Sequence, residues 1–275
     1  MTGNTLGWVI VAFVLYLLMM IAIGAFYAKG NNNSEDYFLG GRKLNGFVAA
    51  LSAQASDMSG WLLMGLPGAI YLTGVGGDGW IAIGLFIGTT LNWLFIATKL
   101  RRYTIRANNS VTLPTYFENR FHDEKKVLMA VSSITIVVFF LVYCASALSA
   151  GGQLFESVFG IDYHVALTIG ALVVLVYTFL GGFTAVCVTD FIQGMLMLVG
   201  ILAVPLFAYH FLTTGGTTLS VGLEASGADS ANFLNLMKNG DGSNNIISVI
   251  SGLGWGLGYF GMPHILVRFM AVRDE

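Results

Sequence analysis

Charged side chains are scarce in this sequence, and their scarcity excludes the largest class of proteins. Only 10% of the 275 residues are Asp, Glu, Lys or Arg, whereas soluble domains carry about 25%. Apolar residues make up 56% of the chain, and the mean hydropathy is +0.75. A chain of this composition cannot form a water-soluble globule. The sequence therefore predicts a polytopic helical membrane protein that lies in a lipid bilayer.

Cysteine and histidine are too few and too scattered for a disulfide framework or a metal centre. The two cysteines, Cys144 and Cys187, lie in or beside apolar segments and lack Cys-x-x-Cys spacing, so we expect both to be small buried residues. The four histidines show no metal-ligand spacing. An intramembrane enzyme would need a nucleophile and base pair or a metal cluster within its spans, and we therefore predict that the protein is not an enzyme.

Seven apolar segments are candidate membrane spans. The first lacks a basic region and a cleavage site and exceeds the core of a signal peptide, so we expect it to be retained. A turn rich in glycine is expected at residues 74–79, Gly181 and Gly182 close the fifth span, and Pro114 fits the first turn of a short interfacial helix. The predicted spans are about 6–28, 46–73, 80–98, 127–155, 164–179, 191–212 and 246–270, with an exposed polar loop at 213–245.

The distribution of Lys and Arg predicts the orientation of the chain. If the N-terminus is outside, Lys238 is the only basic residue on the outer side, and all others face the cytoplasm. The positive-inside rule strongly favours this arrangement over its inverse. Seven spans then place the C-terminus inside.

The second span contains an acid where a span normally has none. Asp57 lies in its middle between Ser56 and Ser59, and an ionised carboxylate there costs ~3 kcal/mol unless it has a partner. Gly65 and Pro67 follow, and both weaken a helix. A broken helix beside an acid and hydroxyl groups suits a small hard cation, which prefers oxygen ligands. The alternative is a polar residue that pairs with a neighbouring helix for structural reasons.

The seventh span is also predicted to be broken. Five glycines and Pro263 fall within residues 252–263, which disfavours a continuous rigid helix; a tightly packed kinked helix is the alternative. Five spans separate its start from that of the second span, and the two run in opposite directions. Interrupted spans at corresponding positions of two repeats mark the binding site of a transporter, so the pattern indicates an inverted repeat.

Residues 50–68, which include the run Ser-Asp-Met-Ser-Gly-Trp at 56–61, closely resemble the second helix of bacterial sodium/proline symporters. The Gly-Gly-Arg connector that ends at Arg42 resembles the wider sodium:solute symporter family. Further similar segments are 37–42, 143–146, 154–156, 179–183, 189–190 and 255–261. The resemblance covers nearly the whole chain and identifies it as similar to the N-terminal half of such a protein.

This resemblance implies an all-α membrane protein with the leucine-transporter-type inverted-repeat fold, truncated to about seven transmembrane helices with broken second and seventh spans. Residues 1–275 would then form a single transmembrane domain fragment. Its parts would be an extra N-terminal helix at 6–28, the first five-helix repeat at about 46–212, an external loop at 213–245, and the first helix of the second repeat at 246–270.

The resemblance further implies secondary active symport of L-proline, driven by the sodium gradient through alternating access, in a bacterial plasma membrane. Sodium is the co-transported ion, and we expect neither a nucleic-acid partner nor an obligate protein partner. The implied sodium-binding residues are Ala55, Asp57, Met58, Ser59 and Gly60. The implied substrate-binding residues are Tyr143, Trp255, Tyr259 and Pro263, and the implied coupling or gating residues are Arg42 and Asp190.

Several alternatives remain open at the level of sequence. Trp255 and Tyr259 are four residues apart, hence on one helical face, and either wall a pyrrolidine ring or simply pack. Asp190 is expected on the cytoplasmic side, where a solvated acid or a helix cap is the alternative to a coupling role. One alternative function is the input domain of a membrane sensor with the same fold. Another is symport of a different small solute. Within transport, a proton is the alternative coupling ion at Asp57.

Overall fold

A computed structural model describes residues 3–274, and its regular structure is helical apart from two isolated β-bridges. The α-helices are α1 (Gly3–Ala28), α2 (Ser34–Leu39), α3 (Gly46–Asp57), α4 (Leu66–Thr73), α5 (Val75–Asn92), α6 (Thr98–Arg106), α7 (Leu113–Phe121), α8 (Val127–Phe159), α9 (Tyr163–Thr214), α10 (Leu219–Ala225), α11 (Ser230–Phe233), α12 (Ile246–Gly254) and α13 (Pro263–Ala271). The all-helical architecture predicted from composition is confirmed.

Among the described residues, four helices are long and apolar enough to cross a membrane by themselves. They are Gly7–Ala28, Val75–Arg106, Val127–Phe159 and Tyr163–Thr214. A bent pair, Ile246–Gly261 with Pro263–Ala271, makes a fifth if it is counted as one span. The protein is therefore a multi-pass membrane protein.

This count is lower than the seven predicted spans for two physical reasons. Helix α9 has 52 residues, which at 1.5 Å per residue is about 78 Å, more than twice the ~30 Å thickness of the bilayer core. It contains both the fifth and the sixth predicted spans, divided at Gly182, whose φ of 60° and ψ of −157° are not helical. The second predicted span consists of pieces too short to be counted separately. Seven crossings remain a prediction.

Some boundaries differ from those expected. The turn predicted at residues 74–79 is reduced to Gly74, with φ 83°; Gly76 and Gly77 already lie in α5, where they are buried. The polar loop at 213–245 contains two short helices, α10 and α11. The short helix expected at Pro114 is present as α7, with its proline in the first turn; its location at the membrane interface stays a prediction. Cys187 is buried as predicted, whereas the prediction for Cys144 is wrong because its side chain is exposed.

The chain divides into two compact units. The first comprises the described parts of residues 1–56, 99–192 and 263–275. In it, α1 approaches α9 so closely that a Cβ on Gly24 would lie 2.8 Å from the carbonyl oxygen of Tyr177. Val272, the residue directly after α13, forms a β-bridge with Leu44 in the connector that precedes α3.

The second unit comprises residues 57–98 and 193–262, and glycines allow a close helix contact within it. Helix α5 packs against α12 and the segment that follows it. A Cβ on Gly84 would overlap the carbonyl oxygen of Gly252 and lie 2.8 Å from Cα of Leu253. Small residues allow such close backbone approach in membranes, where packing replaces the hydrophobic effect as the force between helices.

Replacement of Gly84 by alanine is therefore expected to destabilise the protein. Forcing a methyl group into this contact costs about 1–3 kcal/mol, and the melting temperature in detergent should fall. Gly200→Ala in α9 is the matched control because a Cβ there would meet nothing within 4 Å. An unchanged melting temperature for Gly84→Ala would contradict the close contact.

Candidate functional site

The second predicted span is broken at the acid itself. Helix α3 ends at Asp57, and Met58 and Ser59 are not helical. A π-helical turn, Trp61–Gly65, then leads into α4, with Pro67 in the first turn of that helix. The break therefore lies before the position that Gly65 and Pro67 had suggested, because a proline is tolerated in a first helical turn, where its missing N–H has no partner to lose.

The seventh predicted span is broken as well. Helix α12 ends at Gly254, and the chain continues as a 3-10 helix, Trp255–Gly261. Met262 is extended, and α13 starts at Pro263, so that the two halves of the span are bent by 48°. The predicted interruption is confirmed. Interrupted segments leave backbone groups unsatisfied, and these are available to ligands only where the protein buries them or lines a cavity.

Asp57 and Tyr259 meet directly within the second unit. The Tyr259 hydroxyl donates a hydrogen bond to the Asp57 carboxylate. Asp57 is 9% exposed and Tyr259 is 4% exposed. A residue with an implied sodium role and a residue with an implied substrate role are thus joined by one hydrogen bond, and the buried acid has the partner that its position in a span requires.

Trp255 stacks on another indole. Its ring is parallel to that of Trp61 within 9°, with the centroids 5.6 Å apart. The expectation that Trp255 and Tyr259 share one face assumed an α-helix. In the observed 3-10 helix, residues three apart are aligned instead, so Trp255 is exposed while Tyr259 is buried.

The remaining implied sodium residues surround the break. Ala55 is buried in α3, and Met58, Ser59 and Gly60 are half-buried. The Ser59 hydroxyl oxygen accepts a hydrogen bond of 3.3 Å from the backbone N–H of Trp61. The non-helical residues Met58 and Ser59 thus lie next to the π-helical turn that begins with Trp61.

Tyr143 and Pro263 belong to the first unit. The Tyr143 hydroxyl donates to the carbonyl oxygen of Ser56 at 3.4 Å, and its ring stacks on His264 with the centroids 5.8 Å apart. Pro263 is the first residue of α13. Of the four implied substrate residues, Tyr143 and Pro263 lie in the first unit, and Trp255 and Tyr259 lie in the second.

Asp190 is buried in an ion pair, so the alternative of a solvated acid is wrong. It is 7% exposed, and its Oδ2 lies 2.8 Å from Nη2 of Arg268, which is 4% exposed. The hydroxyls of Ser52 and Ser56 donate to the same carboxylate oxygen at 2.7 and 3.0 Å. The carboxylate is buried because α3 contributes Ser52 and Ser56 and α13 contributes Arg268 around it.

Arg268 and Ser52 are functional candidates that sequence reasoning missed, and Ser56 had been noted only as a hydroxyl beside Asp57. Arg268 had been counted in the sequence only among the basic residues on the cytoplasmic side. Its signal was an arginine on an otherwise apolar helical segment, where a charge needs a partner. The two serines are four residues apart on α3 and therefore share one face. Their hydroxyls also accept hydrogen bonds from Arg268, at 2.9 and 2.6 Å.

Arg42 is the centre of a second buried polar cluster in the first unit. Its φ of 54° is unusual for a residue other than glycine, and its side chain is held by many partners. The guanidinium donates to Glu35 Oε1, Asn109 Oδ1, Thr104 Oγ1, Met270 O and Ser110 O at 2.7 to 3.3 Å. Burial lowers the pKa of Arg42, the positive charge of Arg101 lowers it further, and Glu35 opposes both effects. The cluster joins the connector to the C-terminal end of α13.

The Arg268–Asp190 pair supports a test of stability. Arg268→Gln leaves the carboxylate buried without its counter-charge, and we expect a loss of about 3–5 kcal/mol. The double variant Arg268→Gln with Asp190→Asn should lose less than the sum of the two single variants, since contacting residues are not additive. Thermal unfolding in detergent measures both.

The exposed pair of Arg273 and Asp274, at 2.8 Å, is the matched control. Arg273→Gln should change stability by less than about 1 kcal/mol because solvent screens the pair. Equal effects at the buried and exposed pairs would contradict the interpretation.

Comparison with known proteins places this geometry in a family. The model of the sodium:solute symporter family matches residues 37–275. The chain is 48% identical over 266 residues to the sodium/proline symporter of Salmonella typhimurium and 46% identical over 266 residues to that of Escherichia coli, in each case over 97% of this chain and 51% of the relative. It is 49% identical over 255 residues to a high-affinity proline transporter of Bacillus subtilis, over 93% of this chain and 52% of the relative. The chain thus spans about half the length of these relatives.

A solved structure has the same fold. It is a substrate-bound, outward-open state of a Na⁺-coupled sialic acid symporter, with a TM-score of 0.75 at 20% identity, over 94% of this chain and 53% of the other. This likeness confirms the predicted inverted-repeat fold with broken second and seventh spans. On the strength of the family match and the identity to its relatives, the chain belongs to the sodium:solute symporter family.

Proposed function

We propose that the protein carries out sodium-coupled symport of L-proline by alternating access, and that it is not an enzyme. The relatives that match nearly all of this chain at 46–49% identity are named for proline transport. The roles that the resemblance implies for residues 55, 57–60, 143, 255, 259 and 263 are part of this proposal, as are the coupling roles of Arg42 and Asp190. Sodium is the transported ion and proline is the transported solute.

The hydrogen bond from Tyr259 to Asp57 is the observation that carries the proposal. Sodium that binds the carboxylate of Asp57 competes with the tyrosine hydroxyl for the same oxygen atoms. Occupancy by the ion therefore changes how Tyr259 is presented to a substrate. Coupling requires such a difference in free energy between the ion-bound and the ion-free states, and a direct contact provides it without a long pathway.

The energy available is sufficient for useful transport. One sodium ion that enters down a potential of about 100 mV releases ~2.3 kcal/mol. A tenfold sodium gradient adds ~1.4 kcal/mol. The sum of ~3.7 kcal/mol supports accumulation of proline by several hundredfold at a stoichiometry of one to one.

The proposed location is a bacterial plasma membrane with the N-terminus outside. The basic residues between α5 and α8 then face the cytoplasm, together with Arg42 and Arg273. Lys238, in the segment between α11 and α12, is on the outer side. The support for this orientation is the asymmetry of Lys and Arg, since anionic lipids and the membrane potential both favour positive charge on the inner side.

The substitution Asp57→Asn tests the function. We expect loss of a charge-assisted interaction of about 2–3 kcal/mol, which weakens the apparent sodium affinity roughly 100-fold. The measurement is uptake of radiolabelled proline into vesicles that contain the protein at the full length of its relatives, with sodium, potassium or proton gradients imposed separately.

Asp78→Asn is the control because this acid lies in the same unit, where its carboxylate accepts a hydrogen bond from the Thr73 hydroxyl at 2.9 Å. Sodium-driven uptake that survives Asp57→Asn unchanged would contradict the proposal. Uptake driven equally by protons would assign Asp57 to a proton relay, and no uptake under any gradient would favour another solute or a sensor.

The orientation is tested with a reagent that modifies thiols and does not cross membranes. After Cys144→Ala and Cys187→Ala, single cysteines are introduced by Ser226→Cys or Lys125→Cys; both positions are exposed. We expect the reagent to label position 226 in intact cells and position 125 only after the cells are opened. The reverse pattern would show that the N-terminus is inside.

A further inference from the structure

Asn92 is a buried polar side chain to which the sequence assigned no role. It is the last residue of α5 and is 1% exposed. A π-helical turn, Trp93–Ala97, follows it within the same span. A buried amide within a membrane is costly unless its donors and acceptor are satisfied. Turns of this kind inside α-helices occur frequently at functional sites.

The partner of Asn92 is a backbone carbonyl in the last turn of the 3-10 helix Trp255–Gly261. The α-helical hydrogen bond from the N–H of residue 263 to the carbonyl of residue 259 cannot form there. Residue 263 is a proline and has no N–H. Instead, Nδ2 of Asn92 donates to the carbonyl oxygen of Tyr259 at 2.8 Å. Because a carbonyl only accepts, the amide nitrogen and not the amide oxygen must face it.

This hydrogen bond anchors the main chain of Tyr259, whose side chain reaches Asp57. Asn92, Asp57 and Tyr259 all belong to the second unit. Tyr259 is therefore held at both ends, by the amide of Asn92 at its carbonyl and by the carboxylate of Asp57 at its hydroxyl. The 3-10 segment around it has weaker internal hydrogen bonds than an α-helix, so its position depends on such external anchors.

We propose that Asn92 is a positioning residue that sets the Tyr259 hydroxyl on Asp57 and thereby tunes sodium affinity. The amide donates to the Tyr259 carbonyl at the point where the seventh span is interrupted. Asn92 acts through Tyr259 and does not itself bind the ion. The inference rests on the proposed function, since it assigns to Asn92 an effect on the same sodium site.

Asn92→Leu removes the donor and preserves the volume of the side chain approximately. In vesicles that contain the protein at the full length of its relatives, the sodium concentration for half-maximal proline uptake should rise by about tenfold, as expected for one lost hydrogen bond. Thr90→Val is the matched control: its hydroxyl donates only to Phe86 O within the same helix, at 2.8 Å, and we expect no change.

The decisive arm is a double-variant cycle with Tyr259→Phe, which removes only the hydroxyl. If Asn92 acts through that hydroxyl, Asn92→Leu should change sodium dependence in the wild-type background and scarcely change it in the Tyr259→Phe background. Equal effects in both backgrounds, or no effect in either, would overturn the proposal. Absence of sodium-driven uptake in the wild type would instead overturn the proposed function and leave the two failures distinguishable.

Asn92→Asp provides an independent readout if the leucine variant does not reach the membrane. An ionised carboxylate cannot donate to the Tyr259 carbonyl, whereas the protonated form can. The sodium affinity of Asn92→Asp, relative to the wild type at the same pH, should therefore recover as the pH is lowered. A ratio that does not change with pH would contradict the assignment of the amide as a donor.

Discussion

A backbone inside a bilayer has no water to replace a lost hydrogen bond, and the centre of this protein depends on that constraint. Two predicted spans are interrupted, one at Met58 and Ser59 and the other from Trp255 to Met262. Each interruption is stabilised by side chains from other elements. The amide of Asn92 donates a hydrogen bond to the carbonyl of Tyr259, and the hydroxyl of Tyr259 donates one to the carboxylate of Asp57.

The same constraint explains the two buried polar clusters of the first unit. A single arginine next to an apolar core is costly, but Arg268 has a carboxylate and two hydroxyls as partners, and Arg42 is hydrogen-bonded by five groups. Buried ion pairs are weak evidence of net stability and are often retained for specificity or switching. Residues from several elements meet at each cluster, which is where a change between two conformations would exchange hydrogen-bond partners.

Glycine has two different roles along the chain. At Gly182 the backbone adopts a conformation that residues with a side chain rarely enter, and α9 is divided there. At Gly84 and Gly252 the backbone is ordinary, and the missing side chain allows two helices to approach within contact of their main chains. A sequence displays both as the same letter, and only the structure separates a break from a close approach.

The amino-acid sequence is enough to predict the membrane class, the helical architecture, the interruption of two spans and an acid within a span at Asp57. These follow from hydrophobicity, from the backbone chemistry of glycine and proline, and from the cost of a charge in a bilayer, all of which are local properties. The break was placed too late in the second span because Pro67 resembles a helix breaker when its position within the next helix is unknown.

Which polar groups meet became visible in the folded structure. The pairs Asp57 and Tyr259, Asp190 and Arg268, and Asn92 and the Tyr259 carbonyl are separated by 202, 78 and 167 positions, and no spacing rule connects residues so far apart. Trp255 and Tyr259 also differ in exposure because the segment is a 3-10 helix, which rotates each residue by about 120° instead of 100°. Which polar side chains pair depends on how the helices pack. Helix packing depends on the whole chain and not on any one segment.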